Sequence, residues 1–110
     1  MRRILIVAGL TFGAAAPASA GCFEDLGVTG CTYEESFSVA EFRRLSCDAL
    51  WLVRNSIYAD HAYCFRTQAA IETFGNEGCR ATNAATLPLN RHEQTNVNRI
   101  VQVEREKGCR

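Results

Sequence analysis

The stretch Ser46-Cys47-Asp48-Ala49-Leu50-Trp51-Leu52-Val53-Arg54-Asn55-Ser56-Ile57-Tyr58-Ala59-Asp60 decides the fold. It contains no glycine or proline, and Ser46 is placed to cap a helix running from Cys47 to Ala59. Leu50, Val53 and Ile57 recur at helical spacing, with Cys47, Trp51, Arg54 and Tyr58 on an adjoining stripe. An apolar arc this wide predicts the central, most buried helix of the domain.

Outward from it, Ser38 and Glu41 form a Ser-x-x-Glu pattern that predicts a capping box before Val39, Phe42 and Leu45. Residues 21–36, with Gly27 and Gly30, read as an irregular N-terminal arm. After a short connection, Asp60 to Arg66, Thr67 is placed to cap a third helix through Phe74. Ala70, Ile71 and Phe74 should face inward there, and Gly75 should end the helix. Asn76 to Leu89 reads as loop. Asn90 and Glu93 predict a second capping box, opening a last helix from Arg91 to about Lys107, with Val97, Ile100, Val101 and Glu104 at helical spacing and Gly108 as the stop. No alternation of strand length is present. Residues 37–110 are therefore expected to form an all-α domain of three to four helices.

The chain has 110 residues, 47% of them hydrophobic and 9% aromatic, which argues against disorder. Arg2 and Arg3, the uncharged run Ile4 to Ala16, Pro17 and Ala18-Ser19-Ala20 together predict a signal peptide over residues 1–20, cleaved between Ala20 and Gly21. About 90 residues remain, enough for one small domain. A lipoprotein signal at Cys22 is disfavoured, because Ser19 stands where Leu is usual and lipidation would leave an odd number of thiols. The expected product is periplasmic or secreted, with no stable membrane anchor after cleavage. All 6 cysteines lie beyond the leader and are expected to form disulfides. The sequence alone leaves their connectivity open; spacing favours Cys22–Cys31 as a local loop and Cys64–Cys79 around one short helix, leaving Cys47–Cys109. With 12 basic and 12 acidic residues the chain carries no electrostatic footprint for nucleic acid.

The segment from Leu50 to Phe65, centred on Arg54-Asn55-Ser56-Ile57-Tyr58-Ala59-Asp60-His61-Ala62-Tyr63-Cys64-Phe65, resembles the YARHG domain family. That family is named for a central Tyr-Ala-Arg-His-Gly motif. Phe74-Gly75 and the series Leu89, Glu93, Asn96, Ile100 and Glu104 are similar to the family's continuation, so the likeness runs from about Phe37 to Cys109. Two motif positions depart: Asp60 stands where the family has Arg, and Ala62 where it has Gly. The first reverses a charge; the second puts a Cβ where a glycine permits positive φ. The resemblance implies a bacterial extracellular or periplasmic module without an assigned chemistry.

No GxSxG, HExxH, P-loop or dinucleotide pattern is present. The cysteines lack CxxC spacing and the two histidines, His61 and His92, stand far apart, so neither a metal site nor a cofactor is expected. His61 lies three residues before Cys64, but a cysteine among six in an exported chain is expected to be oxidised rather than nucleophilic. Arg54 reads either as a clamp for an anionic ligand beside Trp51 and Tyr58 or as the partner of an internal carboxylate, the second being favoured. Asn55 is expected to bond backbone groups of the turn after Ala59. The functional expectation is a non-enzymatic binding or structural module of the bacterial cell envelope, contacting an envelope component or a protein. Its candidate surface is Trp51, Arg54, Asn55, Tyr58, His61, Tyr63 and Phe65, with no catalytic residue assigned. The alternatives are a small envelope hydrolase using His61 and a secreted enzyme inhibitor.

Overall fold

The computed structural model describes residues 21–110; the leader read at residues 1–20 lies outside them. Four α-helices follow one another: α1 (Val39–Arg43), α2 (Cys47–Ala59), α3 (Gln68–Phe74) and α4 (Arg91–Lys107), with one 3-10 turn at Ala84–Thr86. There are no strands among the described residues, only isolated bridges pairing Cys22 with Cys31 and Tyr63 with Ala81. The domain is all-α.

Each helix begins where a side chain can take up an unpaired backbone N–H. The backbone N–H groups of Glu41, Ala49, Ala70 and Glu93 donate to the side chains of Ser38, Ser46, Thr67 and Asn90. Each such cap stabilises its helix by about 1 kcal/mol. At α4 the box is complete, because the Asn90 N–H also donates to Glu93 Oε1 at 2.9 Å. At α1 it is not: the Glu41 carboxylate turns away from Ser38 and accepts the N–H of Gly27 at 2.6 Å instead. A loop donor with no helical partner competes successfully for that carboxylate. Gly108, at φ 69°, closes α4 in the left-handed conformation.

α4 packs against α1 and α2, and α3 leans on α2. One core cluster unites Phe42, Leu50, Val53, Ile100 and Val103 from the helices with Leu26 and Phe37 from the preceding segment. The arm is thus part of the core rather than an appendage. Val103, fully buried, takes the place the sequence pattern gave to Val101. Ile71, expected inward, is 37% exposed. α3 has only seven residues and contacts α2 along one narrow stripe, so Ala70 is buried while its neighbour faces out.

Three disulfides tie the elements together: Cys22–Cys31 closes the arm, Cys64–Cys79 joins the turn after α2 to the loop after α3, and Cys47–Cys109 fastens the start of α2 to the end of α4. No described helix is long and apolar enough to cross a membrane.

Candidate functional site

Helix α2 presents Trp51, Arg54 and Asn55 on one side, and the chain returns past them through Tyr63, Phe65, Arg66 and Thr67. Together with Ala70 of α3 these line an open cleft of about 330 Å3. Its lining rings, Trp51, Tyr63 and Phe65, belong to a continuous aromatic chain completed by Tyr58 and Phe74 outside the lining. Tyr58 meets Tyr63 with ring centroids 5.8 Å apart, Tyr63 meets Phe65 at 5.0 Å, Phe65 stacks on Phe74 at 5.2 Å, and Phe74 meets Trp51 at 5.8 Å. Contacts of this kind add rigidity beyond the area they bury.

Polar groups punctuate the wall. Asn55 is buried, and its Nδ2 donates to the Trp51 carbonyl at 2.9 Å, within the helix rather than to the turn after Ala59. A carbonyl one turn back is nearer to a buried helical amide than any loop group. Its Oδ1 meets no protein donor among the described residues. Arg54 donates through Nε and Nη2 to Glu104 at 2.9 and 3.1 Å, a fork-to-fork pair linking α2 to α4, and its guanidinium lies 5.9 Å from the Tyr58 ring centroid. Burial disfavours the Arg54 charge, but Glu104 and Tyr58 together outweigh it and hold the guanidinium pKa above its ordinary value. Arg66 is exposed on the rim and makes no ion pair among the described residues.

A family model described as the YARHG domain matches residues 31–105. The chain belongs to the YARHG domain family. No curated protein and no solved structure matches it. The match begins at Cys31, so the YARHG module here takes in the second cysteine of the arm as well as Phe37. Family membership and the disulfides are consistent with an extracellular or periplasmic location.

The YARHG motif itself, Tyr58 to Ala62, ends α2 and forms the turn behind the cleft. Ala62 keeps a left-handed backbone, φ 60°, despite its Cβ. The turn holds because Ala62 O accepts the N–H groups of Arg80 and Ala81, Cys64 N–H donates to Ala81 O, and the Cys64–Cys79 disulfide lies beside them. Cys64 is oxidised and pairs with nothing nucleophilic. His61 Nε2 lies 3.0 and 3.1 Å from the two oxygens of Glu93, whose carboxylate also completes the α4 cap. Tyr58 and His61 therefore sit outside the cleft lining, while Trp51, Arg54, Asn55, Tyr63 and Phe65 lie in it. Ser36 Oγ contacts His92 Nδ1 at 2.9 Å, away from the cleft. Asp60, at the motif's Arg position, makes no ion pair among the described residues. Loss of water on its inner side, and then the nearby Glu93, raise its pKa above the ordinary carboxylate value.

Two residues that shape this region carry no functional signature in sequence. Asn76 clamps the cleft wall: its Oδ1 accepts from Phe65 N–H at 2.8 Å and its Nδ2 donates to Phe65 O at 3.0 Å. Asn96, fully buried, does the same for the arm, accepting from Phe37 N–H and donating to the carbonyls of Thr32 and Glu35. The available signal for Asn96 is its place in the series Leu89, Glu93, Asn96, Ile100 and Glu104, a polar residue on an otherwise core-facing stripe. Among the described residues no cluster of His, Cys, Asp and Glu is disposed to hold a metal.

Proposed function

We propose that this chain is exported, loses its first twenty residues between Ala20 and Gly21 (an A-x-A site), and acts in the bacterial envelope as a non-enzymatic binding module. Its cleft takes a carboxylate-bearing group of an envelope component. The observation that carries this reading is the pairing pattern around the cleft. Arg54 is consumed by Glu104, whereas Arg66 on the rim and Asn55 Oδ1 in the floor are left to a ligand, beside the flat faces of Trp51 and Tyr63. Such a site offers an apolar platform, a cation for the carboxylate and, in Asn55 Oδ1, an acceptor for an N–H or O–H carried by the same ligand.

Co-sedimentation with isolated cell-wall sacculi tests it. The folded domain should pellet with them, and Arg66→Ala, whose exposed side chain leaves folding intact, should lose about tenfold in affinity, as expected for one charge-assisted hydrogen bond. Equal retention of wild type and variant would overturn the assignment.

A further inference from the structure

Two side-chain oxygens without hydrogen-bond partners meet beside Gly21, away from the cleft. Gly21 is buried, and a Cβ built on it would lie 3.0 Å from Asp60 Oδ2 and 3.2 Å from Thr32 Oγ1. Covalent geometry puts the Gly21 nitrogen about 2.4 Å from that point. Thr32 is fully buried, and its hydroxyl is the one described buried side-chain polar atom without a hydrogen-bond partner. Orphaned buried hydroxyls are rare and call for a donor or an acceptor. Asp60 is exposed on its outer side, but its Oδ2 is turned toward Gly21. The charged groups near it are Glu93 and His61, and His61 is already engaged by Glu93, while the Tyr33 ring lies beside Gly21. Two carboxylates thus share one imidazole, and the second lacks a cation.

We infer that the ammonium group of a mature chain beginning at Gly21 docks between the Asp60 carboxylate and the Thr32 hydroxyl, fastening the N-terminal arm to the motif turn. The inference rests on the cleavage proposed above. A leader peptidase hydrolyses the Ala20–Gly21 amide: water adds across the bond, Ala20 leaves as a carboxylate with the leader, and Gly21 gains a protonated amine. Before cleavage the same nitrogen is a neutral amide. A side chain at this position would press on both oxygens, 3.0 and 3.2 Å from its Cβ, so glycine suits it best. The neighbouring Thr32 N–H to Gly21 O bond, 2.7 Å, and the Cys22–Cys31 disulfide hold the amine in place. The charge reversal at the motif's Arg position then has a purpose: Asp60 is the counter-ion of the chain's own terminus.

The test has two arms. The intact mass of the oxidised product recovered after export from bacteria expressing the full chain should correspond to a start at Gly21; another start overturns the cleavage reading. Separately, chains beginning at Gly21 and at Ser19, each with Asp60 and with Asp60→Asn, are unfolded in urea at pH 7. The described residues from Gly21 onward hold the core and all three disulfides. The two-residue extension should raise the unfolding equilibrium constant about fivefold in the Asp60 background, near 1 kcal/mol, and leave Asp60→Asn unchanged. Indifference to extension, or an equal loss in both backgrounds, overturns the docked ammonium while leaving the cleavage intact. Should Asp60→Asn fail to fold, acetylating the Gly21 amine of the wild-type chain must produce the same fivefold loss, and no loss refutes the docking.

Discussion

Replacing Asn96 by Ala probes how the arm is held. The side chain is fully buried and makes three hydrogen bonds, from Phe37 N–H at 2.9 Å and to the carbonyls of Thr32 and Glu35 at 3.0 and 2.9 Å. Removing it leaves three backbone groups facing a small cavity. Each costs about 1–3 kcal/mol if water cannot reach it. The three share one site and the arm can yield, so the sum is not additive, and a total of about 3–5 kcal/mol is expected. A domain of this size has about 5–15 kcal/mol in all. Urea unfolding of the oxidised protein, followed by Trp51 fluorescence, measures the loss, and amide exchange at residues 32–37 should show the arm opening first. Asn98→Ala, on the exposed face of the same helix, is the control and should change stability by less than about 0.5 kcal/mol. A loss below about 1 kcal/mol for Asn96→Ala would refute the claim that this amide fastens the arm to α4.

Ala62→Gly should stabilise the domain by about 0.5–1 kcal/mol, raising the melting temperature by several degrees, because it relieves a left-handed alanine at φ 60°. Arg54→Met should cost about 2–3 kcal/mol, less than a wholly buried pair, since the two side chains are 23% and 14% exposed; the urea midpoint checks this, and an unchanged midpoint would assign Arg54 to binding alone. Replacing Cys47 and Cys109 together by Ala removes a link spanning 62 residues, and the chain-entropy account gives a loss of about 4 kcal/mol, readable as partial unfolding at 37 °C by circular dichroism. Glu35 accepts the backbone N–H groups of Thr29 and Val28 and the Thr29 hydroxyl, so its pKa lies below the ordinary value of 4.5. Its folded pKa is depressed, so its stabilisation is complete above about 4.5 and fades as pH falls through the folded value. Protection of the Val28 and Thr29 amides, taken relative to their intrinsic exchange rates, should therefore fall below pH 4.5 in the wild type and show no such step in Glu35→Gln.

The helices were legible because their signals are local. Ser46, Thr67 and Asn90 each precede an apolar period and each caps the helix that follows, and Gly108 stops α4 as its position suggests. Where the reading failed, a distant group intervened. Glu41 abandons the capping box for Gly27 N–H, fourteen residues away in sequence, and Ile71 is exposed because α3 is too short to bury two sides. Leu26 and Phe37 enter the core from a segment without periodicity, and Phe37 is held there by Asn96 some sixty residues later, which no local pattern encodes. The candidate site divides the same way. Trp51, Arg54 and Asn55 share a helical face and so share the cleft, whereas His61 follows the turn toward Glu93 and leaves it. That Arg54 is engaged and Arg66 is not depends on Glu104, fifty residues along the chain from Arg54.

The most direct test of the binding assignment is a backbone and side-chain NMR titration of the oxidised domain with soluble, carboxylate-bearing cell-wall fragments. Saturable shifts at the Trp51 indole, the Asn55 side-chain amide and the backbone of Tyr63 to Thr67, with Arg54 and Glu104 resonances nearly still, are the predicted result. Shifts centred on His61 and Glu93, or none at millimolar fragment, would contradict it.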